Sequence, residues 1–307
     1  MIRKWYRPGG SVRRRTFARG DVIDLLDGIV LRGSPVMANN TFEKIRKMFN
    51  YAVEKDILEF SPCFAVKKPT KKEHKDRVLT DAEIVTVWNG LDNTAIIDET
   101  KRALKLILIT ASRPGEVIGM HSDEIAGEWW TIPADRSKNG KAHRVYLTET
   151  AREIIGDKIG FIFESPATGR LQDDGAPKPP QAIDGNAVAC AVRRNLNHPL
   201  LDDKGQPLYK KDGTPATINK IGVDGWTPHD LRRTAATNLA ALGYSDEVID
   251  AVLNHAKKGV VAIYNRHRYD KEKQGALESW GRKLQAIITG EGKGNVVSIT
   301  TAKKKAA

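Results

Sequence analysis

The most apolar stretch of the chain, residues 104–111, lies within a helical pattern over 95–110 that reads as a buried helix. Lys105 interrupts the stretch, which falls far below the roughly 18 apolar residues a membrane-spanning helix needs. The chain must therefore bury this helix within its own elements, and those elements read mostly as helices. The spacing predicts helices over about 21–31 and 35–58, the second with Phe42, Ile45, Phe49 and Ala52 on one apolar face and Ser61-Pro62 as its stop. Thr80-Asp81-Ala82-Glu83 has the form of a capping box and opens a second domain. A further helix is expected over 185–198. Thr227-Pro228 starts one that Gly243 stops, Ser245 starts another, and Gly259 precedes a third. Residues 129–133 and 142–147 read instead as a β-hairpin turning near Asn139-Gly140. Two similar turn-rich pieces, Asp203-Lys204-Gly205-Gln206-Pro207 and Lys211-Asp212-Gly213-Thr214-Pro215, read as an inserted hairpin between 199 and 222. The expected fold class is mainly α with a small β-hairpin or sheet (α+β).

With 307 residues there is room for two domains. The expected division is a helical unit over 1–66, a linker over 67–77, a larger domain over 78–288 and a disordered tail over 289–307. Lys and Arg number 50 against 38 Asp and Glu, a formal charge of +12, which favours a polyanionic partner. Residues 1–20 hold seven basic side chains and no acid, interleaved with Trp5, Tyr6 and Phe17, and read as an arm or as part of a domain cut short. The linker holds six bases against Glu73 and Asp76, as either a solvated tether or a segment crossing a DNA backbone. Cys63 and Cys190 stand far apart and in no metal-ligand spacing, and no export signal follows the N-terminus, so a reducing cytoplasm is expected. The acidic pairs Asp123-Glu124, Asp173-Asp174 and Asp202-Asp203 read as solvated loops without the spacing of metal ligands.

Four segments hold side chains suited to chemistry. In TPHDLRRTAATNL (227–239), His229 and Arg232 lie three apart at a helix start, where free N–H groups already favour an anion. In ITASRPGEV (109–117), Arg113 precedes a helix opened by Pro114, and Glu116 is placed to orient its guanidinium. RSKNGKAHRVYL (136–147) carries Lys138 before the Asn-Gly turn and Lys141 after it. VLNHAKKGVVAIYNRHRY (252–269) carries His255 nine residues before Tyr264. The first three have a plain structural reading when taken alone: a surface arginine beside a helix-start histidine, an arginine capping loop carbonyls, lysines solvated at a hairpin tip.

Together, Arg113, Lys138, His229, Arg232, His255 and Tyr264 supply what attack on a phosphodiester by a tyrosine requires. Two arginines neutralise the non-bridging oxygens as charge grows. A phenol is only about one part in a thousand ionised at neutral pH, so Tyr264 needs a base, for which His229 is the candidate. Lys138 can protonate the departing sugar oxygen. The scheme needs no metal ion or other cofactor.

In these segments the chain resembles the tyrosine recombinase, or phage integrase, family, most of all integrases of prophages and genomic islands, over about residues 78–284. The resemblance implies a tyrosine-recombinase-like catalytic domain preceded by a partial helical core-binding domain, the N-terminus reading as truncated. It implies that Arg113, Lys138, His229, Arg232 and His255 surround the scissile phosphate and that Tyr264 becomes joined to a DNA 3′ end. Integration and excision of a mobile element would follow, through a tetramer on double-stranded DNA attachment sites and a Holliday junction, without ATP. A host bending factor or a directionality factor are further partners to expect, and the location would be cytoplasmic, on the nucleoid. The rival readings are type IB topoisomerase-like relaxation and a catalytically inactive DNA-binding protein. Tyr269 is expected to pack or to contact phosphate, and Trp280 to anchor the core.

Overall fold

The computed structural model describes residues 17–71, 76–255 and 269–291. The chain divides into two compact units, Met1–Lys75 and Asp76–Ala307. In the first, α1 (Arg19–Leu31) packs on α2 (Pro35–Glu54), burying Val22, Leu26 and Ile29 against Ala38, Phe42 and Cys63, with Ile45 and Phe49 at the edge of the cluster. α2 ends earlier than its apolar spacing suggests. Asp56 takes a φ of +52°, a left-handed position that stops the helix before Ser61-Pro62 is reached. The first part of the basic linker is held rather than free. Asn39 Nδ2 donates to the Thr70 carbonyl at 2.8 Å, and Lys68 pairs with Glu43.

The second unit is built around α4 (Asp98–Thr110), the buried helix expected from the sequence. It touches α3 (Asp81–Asp92), α5 (Pro114–Ile118), α6 (Glu149–Ile155), α7 (Ala187–Leu196), α8 (Pro228–Ala241) and α10 (Asp270–Thr289), with α9 (Asp246–Val252) packed on α8 and α10. Ala103, Leu104, Leu106, Ile107, Leu108 and Ile109 are buried, each large side chain among them contributing about 1.5–3 kcal/mol by leaving water. Lys105 escapes this burial at its charged end, pairing with Asp92 at 2.9 Å and lying over the Trp88 ring. Trp280 is fully buried and donates from Nε1 to the Leu108 carbonyl at 2.8 Å, tying α10 to α4. Thr80 and Glu83 form the expected capping box at the start of α3.

Beside the helices, β1 (Ile125–Ala126), β2 (Trp129–Ile132) and β3 (His143–Tyr146) form an antiparallel sheet in that order, with Trp130 opposite Val145 and Ile132 opposite His143. The expected hairpin is present: β2 and β3 are joined over 133–142, and the chain turns near Asn139-Gly140, where Gly140 takes a φ of +67°. The 199–222 insertion also differs from a single hairpin. β4 (His198–Pro199) pairs with β5 (Thr217–Ile218), and Leu200, Leu208 and Ala216 close a ring in which each N–H donates to a carbonyl of another of the three. Of the Asp123-Glu124 pair, Asp123 is exposed as expected, but Glu124 is not. Glu124 is largely buried and accepts from Trp130 Nε1 at 2.8 Å and from Arg136. Among the described residues no helix is long and apolar enough to cross a membrane. The basic arm over 1–16, the helix expected after Gly259 and most of the expected tail lie outside the described residues.

Candidate active site

The site gathers around the C-terminal end of α9, and its origin is an accounting requirement. The last carbonyls of a helix have no partner within it and carry the negative end of its dipole. Here every one is taken. His255 N donates to the Asp250 carbonyl at 3.0 Å and Asn254 N to that of Ala251 at 3.4 Å, the two bonds of a Schellman ending, with Asn254 left-handed at φ +50°. The next three carbonyls accept from side chains distant in sequence. His143 Nε2 reaches Val252 O at 3.2 Å, Arg232 Nη2 reaches Leu253 O at 2.5 Å, and Arg113 Nη2 reaches Asn254 O at 3.1 Å.

Arg232 comes from the first turns of α8, which Thr227 opens by donating from its backbone N to Asp230 Oδ2 at 2.9 Å. Its guanidinium is buried and also donates from Nη1 to Ala111 O at 2.7 Å, where Ala111 ends α4 in a left-handed conformation. Burial first, and then the charge of Arg113, lower its pKa to about 10, so it stays protonated at neutral pH. Arg113 stands at the N-cap of α5. Glu116, buried one turn on, accepts from its Nη1 at 2.8 Å and from its backbone N at 3.1 Å. Two cationic forks, both pinned at part of their donor set, are thus brought within electrostatic reach of each other, with Glu116 between them in charge. Such a pair can receive an anion without first reorganising.

His229 lies in the first turn of α8, three residues before Arg232. The residue is exposed overall, yet partial burial of its ring and the positive charges of Arg232, Arg233 and Arg113 lower its pKa, leaving a neutral imidazole at pH 7. His255 is exposed, with Nδ1 against Asp250 Oδ1 at 2.7 Å, which leaves Nε2 to face outward contacts. Lys138 is exposed on the 133–142 connection, and both of its neighbours are held: Asn139 Nδ2 donates to Asn254 Oδ1 at 2.8 Å, and Asn254 Nδ2 donates to Ser137 Oγ at 3.0 Å. Arg113, Glu116, Arg232 and the backbone beside His255 are joined by hydrogen bonds, and Lys138 joins them through its neighbours. Tyr264 lies outside the described residues. Tyr269, its rival, is left-handed at φ +56° and precedes α10, whose Asp270 pairs with Arg144 at 2.6 Å.

Three residues of this arrangement were not singled out by the sequence. His143 is buried, and burial, with the charge of Lys273, lowers its pKa to about 3. Its contact with a carbonyl therefore assigns the neutral ring with the proton on Nε2. Arg136 donates to Glu116 O at 2.7 Å and to Glu124, fastening the Lys138 connection to α5. Asn254 had a readable signal, because an asparagine just past a helix is the residue other than glycine best suited to a left-handed ending.

Residues 77–271 match the model of the phage integrase family. The chain belongs to that family. Prophage integrase IntA of Escherichia coli (strain K12) is 25% identical over 275 residues, covering 83% of this chain and 58% of IntA, so this integrase-family chain spans less than two thirds of that relative. Tyrosine recombinase XerD of Lacticaseibacillus casei is 23% identical over 234 residues, covering 75% of this chain and 72% of XerD. A crystal structure of a lambda integrase dimer bound to a COC′ core site aligns over 81% of this chain and 82% of that one, with 14% identity and a TM-score of 0.48.

Proposed function

We propose that this phage integrase family member is a site-specific DNA recombinase that integrates and excises a mobile element through a 3′-phosphotyrosyl intermediate. The observation that carries the reading is the convergence of Arg113 and Arg232 on the end of α9, immediately before the segment holding Tyr264. The guanidinium donors not used on carbonyls bind the non-bridging oxygens of the scissile phosphate. Tyr264 Oη attacks phosphorus while its proton passes to His229, which partial burial and the surrounding positive charge keep neutral. The P–O5′ bond breaks, and Lys138 delivers a proton to the leaving oxygen. The products are a 3′-phosphotyrosyl linkage and a free 5′-hydroxyl, and attack by a second strand's 5′-hydroxyl reverses the step. His255 Nε2 is a further contact to the phosphate. Because the linkage conserves the energy of the broken bond, neither ATP nor a metal ion enters the balance.

The helical unit over 1–66 serves as part of a core-type DNA-binding domain, the catalytic domain spans 78–288, and four protomers assemble on double-stranded attachment sites in the cytoplasm. The test is rejoining specificity. Wild-type protein, supplied with duplexes carrying the element's two ends, yields recombinant joints only between them. Relaxation of any supercoiled plasmid without such ends would favour topoisomerase-like activity, and binding without cleavage would favour an inactive DNA-binding protein.

A further inference from the structure

Among the described residues, Lys138 is exposed on a connection between strands and its side chain makes no hydrogen bond or ion pair of its own. A general acid is useful only within hydrogen-bond reach of the leaving oxygen, so something must place this connection. The hydrogen bonds show where it is fastened. Arg136 ties its start to Glu116 O at 2.7 Å. Ser137 and Asn139, on either side of Lys138, are tied to one side chain, that of Asn254. Asn139 Oδ1 in turn accepts from Ser137 Oγ at 2.8 Å, so the three polar side chains form a closed ring beneath Lys138. The carbonyl of the same Asn254 accepts from Arg113 Nη2 at 3.1 Å, and its chain neighbour is His255.

We infer that Asn254 is a positioning residue that couples the general acid to the phosphate clamp: its amide holds the Lys138 connection through Ser137 and Asn139, while its carbonyl holds Arg113. A helix ending needs only a residue tolerant of a positive φ, which glycine satisfies at no steric cost. The amide is not required for that and makes its bonds entirely to the Lys138 connection. The inference rests on Lys138 protonating the 5′ oxygen, and the leaving group separates the two claims. Replacing the bridging 5′ oxygen by sulfur gives a thiolate that departs without protonation, so a defect confined to proton delivery disappears on that substrate.

The experiment measures single-turnover cleavage of nicked suicide duplexes spanning the element's own ends, with oxygen or sulfur at the 5′ bridging position, by wild type, Lys138→Ala, Asn254→Gly and Asn139→Ala. Asn254→Gly keeps the left-handed ending, and Asn139→Ala removes the bond from the other side without touching α9. Lys138→Ala is expected to lose about 100-fold or more on oxygen and to recover wild-type rates on sulfur. Asn254→Gly and Asn139→Ala are expected to lose about 10-fold to 100-fold on oxygen, through misplacement of the acid, and to recover on sulfur as well. If Lys138→Ala recovers but Asn254→Gly is equally slow on both substrates, or as fast as wild type on both, Asn254 does not position the acid. If Lys138→Ala is not rescued by sulfur, the reading of Lys138 as the acid fails and the inference fails with it.

Discussion

Arg232 is structural in the fold and, in the proposed reaction, also binds the phosphate. It is buried, donates to the carbonyls of Ala111 and Leu253, and still has N–H groups to spare. Arg232→Ala or Arg113→Ala is expected to slow cleavage by about 10²–10³-fold, the usual cost of one preorganised donor, in suicide-duplex assays. Arg232→Lys should not restore the rate, because one ammonium cannot span two carbonyls and a phosphate as a fork does. A rate within a few-fold of wild type would remove either arginine from the site. His143 makes a prediction about stability. Its pKa is about 3 folded and near 6.5 unfolded, so in the interval between them the unfolded chain binds the proton that the folded one refuses. Its contribution is complete above pH 6.5 and lost as pH falls toward 3, about 2–3 kcal/mol of it between pH 6.5 and 4.5. Urea midpoints should fall over that range and fall less in His143→Gln; equal slopes in the two proteins would contradict a buried neutral ring. Arg113, Glu116, His229 and Arg232 are legible in sequence because each sits in a short string with its own helix-start signal. His143 is not, because its partner is 109 residues away and only folding brings the two together, and for Asn254 the helix ending is readable while the Ser137 and Asn139 partners of its amide, 115 or more residues away, are not.

At the scale of elements, the helices were the readable part. α4 carries its own apolar spacing, and Thr227 and Ser245 stand at the N-caps of α8 and α9, so the existence of these helices follows from local chemistry. The connections were less readable. Asn139-Gly140 marks the turn between β2 and β3, but the partners that fasten residues 133–142, Glu116, Glu124 and Asn254, lie elsewhere in the chain and leave no local signal. Asp56 likewise ends α2 before the proline stop. Gly90 makes the same point within a helix. Glycine inside α3 costs about 1 kcal/mol relative to alanine, yet a Cβ there would lie 2.3 Å from Ile221 O. The backbone approach outweighs the propensity gain. Gly90→Ala is expected to destabilise the second unit by about 1–3 kcal/mol, seen as a thermal midpoint lower by several degrees. An unchanged or raised midpoint would mean that α3 and the 221 backbone separate freely.

For the whole molecule, the formal charge of +12 makes the proposed DNA binding a counterion-release problem. If six to ten phosphates are neutralised, affinity for the element's ends should fall about 10³–10⁵-fold between 50 and 200 mM salt, with a linear log–log slope in gel shifts. A salt-independent affinity would exclude a phosphate-tracking interface. The proposed function turns on phosphoryl transfer to Tyr264 at the corner formed by Arg113 and Arg232. The most direct measurement incubates wild type and Tyr264→Phe with nicked suicide duplexes in excess EDTA and looks for a protein–DNA band that survives denaturation, with gel shifts on the same duplexes to show equal binding. The band is expected in wild type alone. A band in Tyr264→Phe would place the nucleophile elsewhere, first at Tyr269, and clear binding with no band in either protein would contradict covalent catalysis by this chain.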